Sequence, residues 1–335
     1  MPASPLRPSP LVVIVTPVYN GGRYLRAAME SVQAQTYRNI VHVVLDNAST
    51  DDTAAIIASF RDAPIEVRSR RNATLLPLAD NWNAAFSGLP EQAVYAKLLC
   101  ADDLIRSDCI ERFVALAESD PAISLVLSDD VFADDVRRAN LPAGKVLAGH
   151  AVARAILDHS VQWLPYQHFF VRLEAADRAG AFFASRIAPD ASVVLRSALR
   201  GRVGYVRDAL VYTRWHPESQ TSRYHRELNA EAWCYLLHLL EHYGPDCFDA
   251  SGLRAARDLN LGRQARFVLR WLLRGRWRAA RSLHRYLASM GMPLSPWQYL
   301  RYAILWPAYA AAKHRWQTPV GPHLDAQTFM RSGHA

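Results

Sequence analysis

The strongest constraint on the fold is an alternation between two hydrophobic periods along the first 130 residues. Segments whose apolar residues recur at three- and four-residue spacing predict helices, and the continuous apolar runs between them predict buried strands. The runs lie at 11–15, 40–45, 65–68, 94–99 and 123–127. Strands that alternate with helices form a parallel sheet with helices on both faces. The sequence therefore predicts an α/β fold with a mostly parallel sheet.

The pattern changes twice further along the chain. After residue 130 it becomes irregular, and we expect a helix near 150–158, a helix after Asp190, and two short strands near 203–206 and 209–213. From residue 225 onward, Arg and apolar residues are interleaved, which predicts an almost entirely helical region.

The net charge of +8 is concentrated in this last region. Residues 251–335 contain fourteen Lys and Arg but two acidic residues, so the first 250 residues are slightly acidic. A basic helical end is typical of an anionic membrane surface, a nucleic-acid site or a solvated helix face. No aromatic and glycine motif of a nucleic-acid-binding domain accompanies it, and we expect no nucleic-acid partner.

The cysteines and the length of the apolar stretches indicate the cellular compartment of the protein. The four cysteines form no CxxC pair, which indicates reduced thiols in a cytoplasmic protein. The longest late apolar stretch, 302–312, is about half the length that crosses a bilayer, and Pro307 interrupts it. We expect no signal peptide, and a protein that is soluble or peripheral on the inner face of the membrane.

Polar residues follow three of the predicted strands at their carboxyl ends, where ligands bind in parallel α/β sheets. The stretches are Thr16–Asn20 after the first strand, Asp46–Thr53 after the second and Cys100–Asp103 after the fourth. Within the second stretch, residues 49–52 are typical of a helix N-cap with acidic residues in the first turn. Asp46 precedes that cap, and a buried carboxylate there needs a donor such as a pyrimidine ring N–H.

Asp102 and Asp103 form an adjacent acidic pair. Neighbouring carboxylates repel each other unless a cation offsets their charge, and Mg²⁺ or Mn²⁺ takes carboxylate ligands with phosphate oxygens completing the shell. The pair therefore predicts a metal–diphosphate site, with a surface turn before the helix from residue 108 as the alternative. No GxGxxG follows the first strand and no GxxxxGK[ST] occurs, which argues against a dinucleotide dehydrogenase and a P-loop enzyme.

Two later stretches complete the candidate site. Asp190 opens a helical segment, where it serves either as a general base or as an N-cap. Arg214 and His216 flank Trp215 after the last predicted strand, so their side chains point to one side of an extended chain. This arrangement predicts a phosphate or metal contact, with a structural histidine as the alternative.

Five motifs occur in a fixed order between residues 11 and 220. They read TPVYNGGRYLRAAMESVQAQTYRNI, VVLDNASTDDT, LADNWNAAF, AKLLCADDLI and DALVYTRWHPES. Their order and spacing resemble the inverting family-2 glycosyltransferases, which have the nucleotide-sugar-dependent, Rossmann-like GT-A fold. The resemblance covers about two thirds of the chain and leaves the last 110 residues without a matching motif.

The resemblance implies roles for individual residues. It implies that Asp46 binds the base, usually uracil, and that Asp190 is the general base. Asp103 and His216 would hold Mn²⁺ or Mg²⁺. The nucleotide sugar would contact Thr16, Pro17, Tyr19, Asn20, Asp46, Asn81, Asn83, Asp102 and Arg214.

Three positions depart from the family pattern. Cys100 replaces the first Asp of a fuller Asp-x-Asp-Asp motif, and Pro189 replaces the Glu that usually precedes the base. Asp51 and Asp177 are therefore weaker alternatives as the base. Ala48 stands where many members have Gly, a replacement that should be tolerated if φ at that position is negative.

The resemblance implies transfer of a sugar from a nucleoside diphosphate, usually UDP, to an acceptor hydroxyl with inversion. The acceptor would be a glycan or a lipid-linked glycan in surface polysaccharide assembly. A sugar nucleotidyltransferase is one alternative, although the Gly-rich phosphate loop of that class is absent. A catalytically inactive nucleotide-sugar-binding protein is the other, suggested by Cys100 and Pro189.

We divide the chain accordingly into three parts. Residues 1–10 form a disordered Pro/Ser-rich tail, and residues 11–222 form the GT-A domain, with a nucleotide-binding half up to residue 130 and an acceptor-binding half after it. Residues 223–335 form a basic helical region. Its segment 263–286 mixes Arg with Trp, Leu and Phe at helical spacing, which predicts either contact with an anionic membrane or helices packed on the sheet.

Overall fold

The computed structural model describes residues 9–161, 164–304 and 320–332. The predicted tail therefore lies outside the described residues except for its last two positions. Most of the late apolar stretch, including Pro307, also lies outside them. In the part of the chain that is described, none of the helices has the length and apolar character needed to cross a membrane.

The first half of the sheet has the predicted alternation of strands and helices. In chain order its elements are β1 (Leu11–Val18), α1 (Leu25–Gln33), β2 (Ile40–Asp46), α2 (Thr53–Ala58), β3 (Glu66–Arg71), α3 (Leu78–Phe86) and β4 (Ala93–Leu98). The strands pair in parallel in the order β4-β1-β2-β3. β1 and β2 are buried almost throughout, as expected of strands with helices on both faces. The predicted α/β fold with a mostly parallel sheet is confirmed.

The fifth predicted strand does not pair with the fourth. The chain continues through β5 (Leu104–Ile105), α4 (Cys109–Glu118), β6 (Ile123–Phe132), β7 (Asp135–Arg137), β8 (Val146–Ala148), α5 (Gly149–Leu157) and β9 (Phe170–Arg172). β9 lies antiparallel between β4 and β6. Phe170 anchors it by stacking on Tyr95 at 4.7 Å between ring centres. The sequence did not predict β9 because a strand of three residues is too short to show a period.

One long strand replaces the two short strands predicted near residues 203–206 and 209–213. β10 (Arg202–Thr213) pairs in parallel with β6 and antiparallel with β5 and β8. Its register against β6 shifts between Val206 and Ala209. Arg207 and Asp208 lie at this irregularity, and their polar side chains interrupt the apolar pattern without ending the strand. The prediction of two strands was therefore wrong.

A glycine contact positions the helix that carries Asp190. α6 (Ala175–Ala179) and α7 (Pro189–Arg200) precede β10, and the start of α5 packs against the end of α7. A Cβ atom on Gly149 would lie 1.8 Å from the Ala198 carbonyl oxygen and 2.1 Å from that of Gly201. Because both obstacles are backbone atoms, only glycine permits this approach.

The C-terminal region packs on the sheet domain and is largely helical. Its elements are α8 (Gln220–Glu227), α9 (Ala230–Trp233), α10 (Tyr235–Cys247), α11 (Ala250–Leu273), α12 (Trp277–Ser289), the helical residues 296–304 as α13, β11 (Val320–His323) and α14 (Ala326–Arg331). Leu237 and Trp271 belong to the same apolar cluster as Val13 and Leu125 of the sheet. β11 pairs with β7, so the predicted helical region also contains a strand. The domain boundary near residue 222 stays a prediction.

Candidate active site

The loops that follow β1, β2 and β4 meet at one rim of the sheet. The backbone N–H of Asn20 donates to Ser49 Oγ at 2.9 Å, and that of Gly21 donates to Thr53 Oγ1 at 2.8 Å. On its other side, Gly21 lies beside Ala101 in the loop after β4. Because β1 pairs with both β2 and β4, its loop bridges the other two. The three strand ends that the sequence singled out therefore lie together.

Two residues at this rim have a left-handed backbone conformation. Asn20 has a φ of 49°, and its Oδ1 accepts the N–H of Thr50 at 2.9 Å. Ala48 has a φ of 57°, so the condition under which alanine would replace glycine without strain is not met. The turn after β2 is closed by the N–H of Ser49, which donates to Asp46 Oδ1 at 2.8 Å. This turn imposes the positive φ, and Ala48 accepts a steric cost that glycine would avoid.

Asp46 is buried at the end of β2 and has donors within the protein. Its Oδ1 accepts the N–H of Ser49, and its Oδ2 pairs with the guanidinium of Arg71. Arg71 also donates to the Ser49 carbonyl oxygen at 2.7 Å. Sequence reasoning missed Arg71, although its position at the end of a strand in the same parallel sheet was an available signal. The side chain of Arg71 is half exposed and that of Asp46 is buried, so Arg71 is the member of the pair that is accessible from the rim.

Thr16, Pro17 and Tyr19 lie at different depths. Thr16 is buried, and its Oγ1 lies 2.9 Å from Nε2 of the buried His42. Pro17 is also buried within β1. Tyr19 is 48% exposed. Tyr19 is therefore the residue of the three whose side chain a ligand at the rim could contact directly, and the other two shape the strand end.

Asn81 and Asn83 lie on α3 and hold neighbouring loops. Asn81 Oδ1 accepts a hydrogen bond from Asn72 Nδ2 at 3.1 Å, and the same group donates to Asn47 Oδ1 at 2.8 Å. Asn83 makes two bonds with the backbone of Phe183, at 2.8 and 3.1 Å. Both amides thus have structural partners, and their contact with a nucleotide sugar stays a prediction.

The acidic pair lies against the loop that follows β10. His216 Nε2 lies 2.9 Å from Asp102 Oδ2, and the backbone N–H of Arg214 donates to Asp103 Oδ1 at 3.0 Å. Asp103 is buried, whereas the side chain of Asp102 is 30% exposed. The late Arg and His predicted from the sequence therefore meet the acidic pair, and Asp102 is the carboxylate nearer to solvent.

A layer of buried polar residues, formed by His168, Thr213, Asp130 and Lys97, holds Asp103 in place. His168 Nε2 lies 3.3 Å from Asp103 Oδ2 and 3.0 Å from Thr213 Oγ1. Thr213 Oγ1 donates in turn to Asp130 Oδ2 at 3.2 Å. Lys97 Nζ donates to the His168 carbonyl oxygen at 3.2 Å, and burial lowers the pKa of this lysine. These contacts restrict Asp103 to one orientation.

Sequence reasoning missed this layer. The available signal for Asp130 was a second acidic pair, Asp129–Asp130, which closely follows the predicted strand at 123–127. Lys97 lies inside an apolar strand pattern and His168 lies in a segment without a motif, so nothing in the sequence marked either of them.

The acidic group fits a divalent cation. Burial, followed by the neighbouring charge of Asp102, raises the pKa of Asp103 well above its usual value. Burial also raises the pKa of the Cys100 thiol, which favours its neutral form. Ligand atoms of these three residues lie within 4.8 Å of one another. Two hard carboxylates in this arrangement suit Mn²⁺ or Mg²⁺, whose charge would offset their repulsion, whereas a neutral thiol is a poor ligand for such ions.

The guanidinium of Arg214 has no carboxylate partner among the described residues. Its Cζ lies 5.2 Å from the ring centre of Tyr24 and 5.7 Å from that of Tyr212. Its Nε is buried, and nothing in the described ranges accepts a hydrogen bond from it. The Tyr24 ring also lies 4.8 Å from the ring of His216. A cation held over aromatic faces with an unused donor can bind an anionic ligand beside the acidic pair.

Asp190 lies in the first turn of α7. The helix begins at Pro189 after Ala188, whose φ is 46°, and Asp190 Oδ1 accepts the N–H of Ala191 at 2.8 Å. Burial raises the pKa of Asp190, the direction that suits a general base at neutral pH. The charge of Asp190 also contributes to the raised pKa of the Cys100 thiol, after burial, Asp103 and Asp102, which places Asp190 in the electrostatic surroundings of Cys100.

The two alternative bases are engaged elsewhere. Asp177 is buried and forms ion pairs with Arg196 at 2.8 Å and Arg200 at 2.7 Å. Asp51 Oδ2 accepts a backbone N–H from the loop after β1. Asp190 is therefore the better candidate of the three.

A cluster that sequence reasoning did not find lies near Asp190. Tyr166 and Tyr235 share a hydrogen bond. Burial is the main cause that raises the pKa of both phenols, and the charge of Asp190 adds to it. Arg263 acts electrostatically on both, and its Nη1 lies 3.0 Å from His159 Nε2. Helices α10 and α11 thus contribute to the surroundings of the candidate base.

Comparisons with known proteins match this sheet domain. The model of the family described as Glycosyl transferase family 2 matches residues 13–184. The uncharacterized glycosyltransferase RP339 of Rickettsia prowazekii is 50% identical over 54 residues, which are 16% of this chain and 17% of that protein. The chain therefore matches about a sixth of the length of that relative.

Two solved structures share the fold. Residues 1–349 of TarS from S. aureus, in complex with UDP-GlcNAc, superpose with a TM-score of 0.57 at 16% identity, over 77% of this chain and 73% of that one. The mannosyltransferase PcManGT from Pyrobaculum calidifontis, in complex with GDP-Man and Mn²⁺, gives a TM-score of 0.54 at 16% identity, over 91% and 80% of the two chains. At such identities the likeness shows the fold alone.

Proposed function

The chain belongs to glycosyl transferase family 2, and on that premise we propose that it transfers a sugar from a nucleoside diphosphate to an acceptor hydroxyl with inversion. The observation that carries the proposal is the junction between the acidic pair and the loop after β10, where Arg214 and His216 contact Asp103 and Asp102. Anionic and cationic groups thus lie together at this junction, which suits a diphosphate with a divalent cation.

The donor would lie across the ends of β2, β1 and β4. Asp46 and Arg71 offer an acceptor and a donor to the base, and Tyr19 offers an exposed ring beside them. A uracil N3–H would donate to Asp46, which favours UDP as the nucleotide. The complexes of TarS with UDP-GlcNAc and of PcManGT with GDP-Man support a nucleotide-sugar donor.

Asp102, Asp103 and His216 are the residues that would hold Mn²⁺ or Mg²⁺. The raised pKa of Asp103 and the proximity of Asp102 support this assignment, because a cation would relieve the repulsion between the two charges. When bound, such an ion supplies Lewis-acid stabilisation of the charge on the leaving diphosphate.

The protein's own groups would carry out the proton transfer and stabilise the leaving group. Asp190 accepts the proton of the acceptor hydroxyl, whose oxygen attacks the anomeric carbon. The new carbon–oxygen bond forms as the bond to the diphosphate oxygen breaks, through a transition state with oxocarbenium character. The diphosphate leaves with the bonding electrons, and the guanidinium of Arg214 stabilises its charge.

The acceptor would be a glycan or lipid-linked glycan, as in surface polysaccharide assembly, with the C-terminal helices touching an anionic membrane. Leu273, Trp277 and Trp297 are 89%, 65% and 78% exposed in a region rich in Arg, which suits insertion of apolar side chains between anionic headgroups. Co-sedimentation with phosphatidylglycerol vesicles tests this partner. Leu273→Ser should reduce binding, whereas Leu75→Ser, an exposed leucine in the sheet domain, should not.

A panel of nucleotide sugars with Mn²⁺ tests the proposed function. We expect one donor to raise the melting temperature, and Mn²⁺-dependent release of its nucleoside diphosphate when an acceptor is present. Binding without any hydrolysis or transfer would instead support an inactive nucleotide-sugar-binding protein. Formation of a nucleotide sugar from a nucleoside triphosphate and a sugar phosphate would support a nucleotidyltransferase.

A further inference from the structure

An open cavity of about 700 Å³ adjoins the candidate active site, and the proposed function leaves it without a role. Three parts of the chain form it: the loop after β10, helix α8, and the turn between α11 and α12. Its lining residues are Trp215, Pro217, Ser222, Arg226 and Arg276. The sheet domain and the C-terminal helices therefore build this cavity together.

Trp215 connects the cavity to the acidic pair. The residue before it donates its backbone N–H to Asp103, and the residue after it contacts Asp102 through its imidazole. The Trp215 ring packs edge-on against Phe132 at 5.5 Å, and 46% of the residue stays exposed. An aromatic face in this position can pack against the apolar face of a sugar ring next to the reaction centre.

The charged residues that line the cavity are both arginines. Arg226 donates to the Pro217 carbonyl oxygen, and no carboxylate among the described residues lies within ion-pair distance of Arg226 or Arg276. Among the described residues, the lining contains no acidic side chain. Guanidinium groups with unused donors bind phosphate and carboxylate groups in bidentate geometry. The cavity therefore offers a sugar-stacking surface and two cationic groups that face no negative charge from the described residues.

We propose that this cavity binds an anionic group, phosphate or carboxylate, on the acceptor saccharide. The inference rests on the proposed function, in which the diphosphate of the donor binds Arg214 and the acidic pair, whose contacts come from the residues on either side of Trp215 in the chain. The volume is within the range of ordinary small-molecule sites, so it accommodates a charged sugar residue.

Calorimetric titration of the protein saturated with UDP and Mn²⁺ tests the inference, because the nucleotide then fills the donor side. The probes are galactose 1-phosphate, galacturonic acid, inorganic phosphate and galactose. At least one of the two anionic sugars should bind about tenfold more tightly than galactose and than inorganic phosphate, and the comparison between them identifies the preferred anion. Arg226→Ala and Arg276→Ala should each weaken this binding by about tenfold.

Arg285→Ala is the matched control, since Arg285 is an exposed arginine on α12 away from the cavity lining. It should bind the anionic sugar as the wild type does. If the protein binds UDP, two results would show the inference to be wrong. One is equal affinity for charged and neutral sugars, and the other is an equal loss of affinity for the anionic sugar in all three variants. Absence of UDP binding in the wild type would instead overturn the proposed function.

Discussion

The imidazole Nε2 of His216 lies 2.9 Å from Oδ2 of Asp102, and this contact joins two loops that are 114 residues apart in the sequence. The N–H of Arg214 adds a second link through Asp103 Oδ1 at 3.0 Å. These two contacts hold both carboxylates of the acidic pair against the loop that follows β10. Their repulsion is therefore offset by a bound proton or by a cation.

Removal of the buried carboxylate should abolish metal-dependent turnover. We expect Asp103→Ala to lower the rate of sugar transfer by about 10³ or more, because the diphosphate charge loses its stabilisation in the transition state. Steady-state kinetics with varied Mn²⁺ measure the effect. Asp62→Ala removes an exposed carboxylate of the sheet domain and should leave the rate unchanged. A near-wild-type rate in Asp103→Ala would remove this residue from the mechanism.

Asp190→Asn should lose turnover without losing stability. The neutral amide cannot accept the proton, so we expect a rate loss of about 10³ with unchanged affinity for UDP. Burial raises the pKa of Asp190, so at a pH above that pKa the ionised carboxylate lowers the stability of the folded protein relative to the unfolded chain. The Asn variant should therefore unfold at the same temperature as the wild type or a higher one at pH 8. A lower melting temperature would contradict this account.

The wild-type rate should also depend on pH through Asp190. The base works only when deprotonated, and its pKa is raised, so the rate should increase with pH through an apparent pKa above the usual range of an aspartate. A profile of kcat against pH measures this limb. An acidic limb at the ordinary aspartate value would indicate a base other than Asp190.

His42 should make the fold sensitive to acid. Burial lowers its pKa to about 3, so between pH 6.5 and 3 the unfolded chain binds a proton that the folded protein does not. The contribution of His42 to the free energy of unfolding should therefore be fully present above pH 6.5. Its loss should lower that free energy by about 2 kcal/mol between pH 7 and pH 5. Urea unfolding at both pH values measures the difference, and His42→Gln should reduce it. His323→Gln replaces an exposed histidine and should have no such effect.

Gly149→Ala should destabilise the protein by about 3 kcal/mol, because the added Cβ meets two backbone carbonyl oxygens that have no room to move. Because the contact lies between α5 and α7, the added methyl group should also displace Asp190, which α7 carries. The rate of sugar transfer at low temperature should therefore fall as well. Gly180→Ala is the control, since no other part of the chain that the structure describes lies within 4 Å of its Cβ position and its φ is −150°. Equal melting temperatures for the two variants would contradict the packing argument.

Local patterns in the sequence were enough to predict the first half of the sheet. β1 and β2 are continuous apolar runs followed by polar residues, and each run ends within three residues of the observed strand end. The same patterns could not reveal β9, because three residues do not show a period. They also misread β10, where Arg207 and Asp208 lie at a register shift inside one strand.

The residues of the candidate site likewise divide into those that the sequence predicted and those that it did not. Asp102 and Asp103 were predictable because adjacent acidic residues at a strand end are unusual unless a cation or a turn accounts for them. Arg71 was signalled only by its position at the end of a strand in the same sheet, and His168 lies in an irregular segment that carries no local signal. Their importance comes from partners that lie 25 and 65 residues away in the chain.

The sequence by itself determined the alternation of strands and helices in the first half of the sheet, the parallel pairing there and the rim to which polar residues are delivered. These features follow from hydrophobic period and from the geometry of parallel strands, which are properties of short segments. Only the tertiary structure decided which groups meet: Arg71 with Asp46, His168 with Asp103, and Trp215 with Arg226 and Arg276 around one cavity. Such contacts depend on how distant segments pack, and no local period encodes that packing.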